Sequence, residues 1–347
     1  MANTSLIDAS LSKEVSTAIK GLLILLVVFG HNTILCYSWE DGQRTGPLLH
    51  FHFLYTFHAY CFFILPFFYS RRPYQKGNIR KNAIRLLYPY LWVMLLCLTL
   101  SVLVAHRSFE GWAYFALALI NGGEYLISKG SGFFFPWFLP AMFSLLLLKD
   151  VYYSASTFIR VILVAISLAA WAVVLLCNTD FRTLGTFVPF ALVSAFSMLP
   201  ICLLRYWLAR RISCNFRNCC LLTSLCMCLF ALFGICWATA CIDSHQEFYF
   251  LLPVVVFLTI LQYKPLLAKC RLLVAFGTLS MPIYLYNVIV YNALLTLAGH
   301  MHCQPVPVVG IVLLLLTLLV SYLLARITTR VPLFQRMLFP SFGPPSC

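Results

Sequence analysis

Long apolar stretches recur along the whole chain, and short basic segments separate them. A window of about 20 predominantly apolar residues is long enough to cross a bilayer as an α-helix. The stretch at 109–128 is also apolar but carries Glu110, Asn121 and Glu124, and we interpret it as an interfacial or re-entrant piece. The pattern predicts an all-α, polytopic integral membrane bundle of about ten transmembrane helices, at residues 16–37, 48–70, 86–105, 132–148, 157–176, 184–204, 219–240, 248–263, 272–295 and 305–325.

The positions of the basic residues predict how these spans are oriented. Cytoplasmic loops of membrane proteins are enriched in Lys and Arg. With the N-terminus inside, the inner segments hold 20 of the 24 Lys and Arg residues, and the outer loops hold Arg44, Arg107, Lys129 and Arg182. We therefore expect one integral membrane domain over 1–347, with both termini cytoplasmic: 1–15 before the first span and a tail at 326–347.

Composition supports the membrane class and limits the partners. The chain is 62% hydrophobic and 10% charged, whereas about a quarter of the residues of an ordinary globular domain are charged. The net charge of +14 could suggest nucleic acid, but the basic residues fall in short clusters between apolar runs, as topology determinants do. We expect membrane lipid as a partner and no nucleic acid. The 15 cysteines show no paired metal-ligand spacing, and we expect no metal.

Two histidines lie at membrane depth, where an ionisable group by default faces a polar cavity or a partner. Eleven helical steps from Lys20 to His31 amount to three turns plus about 20°, so both side chains are predicted on one face. They are separated by roughly 16 Å along the axis, and we expect them to face one cavity. His58, in the second span, is predicted at a similar depth. The alternative for each histidine is a neutral ring that is hydrogen-bonded to a neighbouring helix.

The strongest basic cluster precedes the third span and includes Arg80, Lys81 and Arg85. Arg85 is predicted to enter the membrane on the first turn of that helix. A guanidinium group can bind phosphate bidentately, which a lysine cannot do as well. A plain basic loop that contacts lipid headgroups is the alternative.

Polar or kinked positions recur in two later spans. Trp137 lies between Pro136 and Pro140, where a proline break can line a cavity, although an interfacial aromatic belt is the simpler explanation of the Trp. Ser280, Tyr284 and Asn287 follow i, i+4, i+7 spacing on one helix face. This polar stripe is predicted to face the bundle interior, in support of either packing or substrate binding.

Several of these runs together resemble the acyltransferase 3 family, and the fucose 4-O-acetylase-like branch is the nearest match. The resemblance covers nearly the whole chain and rests on Ile19-Lys20-Gly21 through Gly30-His31, Phe57 to Phe63, Arg85 to Tyr90, Trp137 to Ala141 and Ser280 to Asn287. It implies a ten-helix membrane enzyme that takes an acyl group, usually acetyl, from cytoplasmic acyl-CoA. The implied acceptor is a sugar hydroxyl of a surface or lipid-linked glycan.

The resemblance also implies roles for individual residues. His31 would be the catalytic histidine, and Lys20 and the basic residues from Arg80 to Arg85 would serve the CoA side. Acyl-CoA (acetyl-CoA) would be a co-substrate, with no bound cofactor, and the protein would lie in a cell membrane, the bacterial inner membrane. The chain carries Lys20 where the family often has Arg, and Asn287 where it usually offers a histidine.

O-acyl transfer is thus the predicted function, with His31 either as general base or as carrier of the acyl group. His58, Trp137, Ser280, Tyr284 and Asn287 are predicted to contact the acceptor or line the cavity. Two other functions remain open at this stage. Many spans and a mid-membrane histidine also suit a transporter or flippase of a lipid-linked saccharide. A non-catalytic member of the family is the third interpretation.

Overall fold

The computed structural model describes residues 13–40, 43–69, 78–105, 111–122, 135–177, 191–212, 215–238 and 246–340. Within these ranges the regular structure is almost entirely helical, as predicted. Contacts group the chain into two compact units, one formed by 1–69 with 204–327 and the other by 70–203 with 328–347.

The first unit contains the two ends of the predicted bundle. Its helices and strands are α1 (Lys13–Gly30), α2 (Thr33–Cys36), β1 (Tyr37–Glu40), β2 (Gln43–Pro47), α3 (Leu49–Tyr55), α4 (His58–Tyr69), α11 (Phe216–Ala238), α12 (Gln246–Gln262), α13 (Lys264–Lys269), α14 (Arg271–Thr278) and α15 (Ser280–His300). Helix α16 (Pro307–Arg330) also contributes most of its residues to this unit. Helix α10 (Leu192–Arg211) contributes only its last part, from Leu204 onward.

The second unit contains the helices of the middle of the chain. They are α5 (Asn78–Asn82), a π-helical turn (Ala83–Leu87), α6 (Tyr88–Ala105), α7 (Gly111–Asn121), a 3₁₀ turn (Phe135–Trp137), α8 (Phe138–Ser154), α9 (Thr157–Cys177) and α17 (Pro332–Leu338).

Five helices within the described residues are long and apolar enough to cross a bilayer. They match five of the ten predicted spans. The first, Asn78–Leu100, consists of α5, the π-turn and most of α6, and the others are Leu192–Arg211, Phe216–Ala238, Ser280–His300 and Pro307–Arg330. Of the other predicted spans, 157–176 coincides with the continuous helix α9, and the rest coincide with shorter or interrupted helices. The count of ten and the cytoplasmic placement of the termini remain predictions.

The first predicted span, 16–37, is not one continuous helix. Helix α1 ends at Gly30, and α2 and the hairpin of β1 and β2 follow it. Asn32 starts α2 as its N-cap, because its Oδ1 accepts the backbone N–H of Leu35 at 3.1 Å. Such a cap satisfies an amide that a helix start otherwise leaves without a partner. The apolar window therefore conceals a polar interruption directly after His31.

The second predicted span, 48–70, is also interrupted. Helix α3 ends at Tyr55, and α4 begins at His58 after a turn at Thr56 and Phe57. The Oγ1 of Thr56 donates to the carbonyl of Phe53 at 2.7 Å, so a hydroxyl binds the end of α3.

Helix α1 crosses α14 at very close range. A Cβ added to Gly21 would overlap the carbonyl oxygen of Leu273, and a Cβ added to Gly277 would overlap that of Thr17. Glycine at a crossing lets two membrane helices approach backbone to backbone. Further along α1, Ile24, Val27 and Val28 form a buried cluster with Ile283 of α15. These contacts fix α1 against the helix that carries Asn287.

Candidate active site

His31 is the first residue after α1, yet it keeps the helical spacing of that helix. Its backbone N–H donates to the carbonyl of Val27 at 3.1 Å. Lys20 and His31 therefore remain on one helical path, as the spacing predicts, and both are half-buried. The chain changes direction only at Asn32, whose N–H donates to the carbonyl of Phe29 at 3.0 Å.

The imidazole of His31 is hydrogen-bonded to Asn287 of α15. Its Nδ1 lies 2.6 Å from Oδ1 of Asn287, and Asn287 is fully buried. The amide nitrogen of Asn287 donates within its own helix, to the carbonyls of Ile283 at 3.2 Å and Tyr284 at 2.6 Å. The predicted polar stripe of α15 thus reaches the predicted catalytic histidine. The bond between His31 and Asn287 also fits the alternative interpretation of His31 as a ring that is hydrogen-bonded to a neighbouring helix.

A second set of hydrogen bonds holds the interruption after His31. Tyr291 Oη lies 2.8 Å from Oγ1 of Thr33 and accepts the backbone N–H of Ile34 at 3.3 Å. The side-chain amide of Asn32 donates to the carbonyl of Gly310 on α16 at 2.8 Å. Buried backbone groups at a helix break are costly in a bilayer unless neighbouring groups bind them. The sequence pattern does not single out Asn32, Thr33 or Tyr291. Tyr291 nevertheless continues the polar stripe of α15 one turn beyond Asn287.

His58 is buried and hydrogen-bonded to the preceding turn. Its Nδ1 lies 2.8 Å from the carbonyl oxygen of Leu54, and its ring centroid is 4.6 Å from that of Tyr55. The imidazole therefore caps the end of α3 across the interruption. A Cβ on Gly30 would lie 3.2 Å from Cε2 of Tyr55, so Tyr55 packs between His58 and the end of α1. The alternative of a hydrogen-bonded histidine is realised at His58, with its partner in the adjacent turn.

Half-buried aromatic rings of α3 contact the hairpin formed by β1 and β2. The ring centroid of Phe51 is 4.2 Å from Tyr55 and 4.8 Å from Tyr37. The guanidinium of Arg44 lies 4.7 Å from the ring centroid of Tyr37. His52 stacks on Trp237 at 4.0 Å between centroids. These contacts fix α3 against β1 and α11.

The predicted phosphate ligands lie in the second unit. Arg80 and Lys81 belong to α5 and Arg85 to the π-turn, and all three side chains are exposed. Pro89 lacks the N–H that would bind the carbonyl of Arg85, and its ring crowds that carbonyl. This explains the widened turn, and π-turns occur often at functional sites. Three exposed cations therefore lie at a helix irregularity, and their role as phosphate ligands stays a prediction.

Trp137 also belongs to the second unit. It ends the 3₁₀ turn before α8, is half-buried, and meets Phe138 edge to face at 6.4 Å between centroids. Ser280 and Tyr284 of the first unit are half-buried on α15, and Tyr284 packs against the cluster of Ile24 and Val27.

Arg205 is the largest fully buried side chain within the described residues. It lies on α10, where its Nη1 donates to the carbonyl of Tyr60 at 2.8 Å and its guanidinium is 5.9 Å from the centroid of Phe257. The guanidinium therefore joins α10 to α4 and α12. Among the described residues no group of three His, Cys, Asp or Glu side chains is placed to hold a metal ion.

The fold and the site define a helical integral membrane protein whose half-buried histidine sits at a helix interruption, bound by an asparagine. The sequence profile of the acyltransferase 3 family, described as an acyltransferase domain, matches residues 16–326. No curated protein and no solved structure matches the chain. The chain belongs to the acyltransferase 3 family and is an integral membrane acyltransferase.

Proposed function

We propose that the protein moves an acyl group, normally acetyl, from acyl-CoA to a hydroxyl of a surface or lipid-linked glycan in the bacterial inner membrane. The single observation that carries the proposal is the hydrogen bond between His31 and Asn287 inside a chain that matches the family over 16–326. An oriented imidazole that stays partly accessible suits proton transfer.

His31 acts as general base in this proposal. Its imidazole takes the proton of the acceptor hydroxyl while the hydroxyl oxygen attacks the thioester carbonyl carbon. The new C–O bond forms, the C–S bond breaks, and the CoA thiolate leaves. The proton on the imidazole then passes to that thiolate, so free CoA and the O-acyl ester are the products and the neutral histidine is restored. A neutral imidazole near pH 7 suits this role, since an unperturbed histidine titrates near about 6.5.

Cations hold the donor. Lys20 lies on the face of α1 that leads to His31, about 16 Å away by helix rise. That distance suits the long pantetheine arm of CoA, with the phosphates near Lys20 and the thioester near the imidazole. In the second unit, the exposed Arg80, Lys81 and Arg85 stay sequence-based candidates for phosphate contacts, since a guanidinium group can bind phosphate bidentately.

Polar side chains of α15 receive the acceptor. Ser280 and Tyr284 precede Asn287 on the same helix face and are half-buried, so their hydroxyls are candidates for contacts with sugar hydroxyls. His58 is also proposed to line this site, and its imidazole binds the end of α3. Trp137, in the second unit, stays a sequence-based candidate for contact with the acceptor as an aromatic platform.

Comparison of surface glycans from cells with and without the gene tests the proposal. Mass spectrometry is expected to show an acetyl-sized mass difference that reappears on complementation with the wild-type gene. Complementation with His31→Ala is expected not to restore it, at equal protein level in the membrane. Identical glycans in all strains, or full restoration by His31→Ala, would contradict the proposal.

A further inference from the structure

We infer that Asn287 is a positioning residue that holds His31 in the Nδ1–H tautomer, so that Nε2 is the nitrogen that exchanges protons with the substrate. The inference rests on the proposed function for its catalytic meaning, while the tautomer itself follows from hydrogen-bond geometry. It assigns the reacting atom, which the family match does not.

The orientation of the Asn287 amide is determined by its own helix. The amide nitrogen lies 3.2 Å from the carbonyl oxygen of Ile283 and 2.6 Å from that of Tyr284. A carbonyl oxygen only accepts, so the nitrogen of the amide must point there. Rotation of the amide by 180° would set its oxygen against two other oxygens and leave buried polar groups without hydrogen-bond partners, which is unfavourable.

The amide orientation in turn determines the proton on His31. Once both amide hydrogens point toward α15, only Oδ1 of Asn287 faces Nδ1 of His31, at 2.6 Å. Oδ1 has no hydrogen to donate, so Nδ1 must carry the proton. In the neutral ring the lone pair then belongs to Nε2, and the proton of an acceptor hydroxyl is taken there.

Further contacts make this arrangement a fixed one. One turn after Asn287, Tyr291 binds Thr33 and the backbone of Ile34, which lie two and three positions after His31. On the other side of the contact, Ile283 of α15 packs with Val27 and Val28 of α1. Asn287 therefore lies between two positions of α15, Ile283 and Tyr291, that both contact the chain around His31. An amide does this without placing a second charge in the bilayer, where a charge is costly.

Nuclear magnetic resonance of the full-length protein with ¹⁵N-labelled histidine tests the tautomer directly. His31 is assigned as the signal that disappears in His31→Ala, and the ring is observed at about pH 8, where an ordinary imidazole is neutral. The expected spectrum shows Nδ1 protonated and Nε2 with the shift of an unprotonated nitrogen. A protonated Nε2 in the wild-type protein would overturn the inference.

Variants test the positioning role. Asn287→Leu keeps the size of the side chain and removes the acceptor. It is expected to shift His31 toward the Nε2–H tautomer and to lower kcat roughly 100-fold, within the range that a general base contributes, with the KM for acyl-CoA within about 2-fold of wild type. Asn292→Leu, an exposed position on the same helix, serves as the matched control and is expected to change neither quantity.

The outcomes separate the inference from the proposed function. Activity in a protein whose His31 ring is protonated at Nε2 would overturn the inference alone. An Nδ1–H ring in a protein that transfers no acyl group would overturn the proposed function alone. Should Asn287→Leu fail to fold, the wild-type spectrum still decides the tautomer.

Discussion

Nδ1 of His31 and Oδ1 of Asn287 are 2.6 Å apart, although the two residues are separated by 256 positions in the sequence. The contact joins the polar end of the first long helix to the polar stripe of α15. The side chain of Asn287 is an amide, which can orient the imidazole but cannot titrate. In the proposed mechanism His31 therefore transfers the proton, and Asn287 orients the imidazole ring.

The close crossing of α1 and α14 predicts that Gly21→Ala and Gly277→Ala destabilise the protein. Each added methyl group would overlap a backbone carbonyl, and the helices must separate to admit it. Overpacking of this kind typically costs about 1–3 kcal/mol, so a clear fall in the thermal unfolding midpoint of purified protein is expected. Gly299→Ala is the control, since nothing lies within 4 Å of its added Cβ. Equal midpoints for Gly21→Ala and Gly299→Ala would refute the crossing.

Tyr291→Phe is predicted to loosen the helix interruption that presents His31. The change removes the hydroxyl that lies 2.8 Å from Oγ1 of Thr33 and accepts the N–H of Ile34. Loss of a buried partner typically costs about 1–3 kcal/mol. Faster hydrogen exchange is expected at residues 33–36, measured by mass spectrometry. Tyr263→Phe, which removes an exposed hydroxyl 3.1 Å from Thr223, is expected to leave that exchange unchanged. Unaltered exchange in Tyr291→Phe would count against this role.

Arg85→Ala is predicted to weaken the binding of acyl-CoA more than the chemistry. A hydrogen bond to a charged group contributes about 1.5–3 kcal/mol, so a rise of roughly 10-fold in the KM for acyl-CoA is expected, with kcat little changed. Arg217→Ala, an exposed cation on α11, is the matched control and is expected to behave as wild type. The same KM in the Arg85 and Arg217 variants would remove Arg85 from the donor site.

The sequence predicts the helical class, the family and several site residues, because apolar windows and helical spacing are local properties. The i, i+4, i+7 spacing placed Ser280, Tyr284 and Asn287 on one face of a helix, and α15 has them there. The interruption after His31 escaped prediction, because a window of about 20 residues averages over a short polar run. Local patterns also could not show that Arg205 turns into the protein or that Asn287 meets His31, since both depend on the packing of distant helices.

The central claim is that acyl transfer runs through His31, and release of CoA from acetyl-CoA by purified protein in lipid nanodiscs tests it most directly. With an acceptor glycan isolated from the membrane, the wild-type protein is expected to release thiol. The rate of CoA release is expected to be at least about 100-fold lower in His31→Ala. His300 is an exposed histidine at the end of α15, and His300→Ala is expected to keep the wild-type rate. A His31→Ala protein that is folded and releases CoA at the wild-type rate would contradict the account.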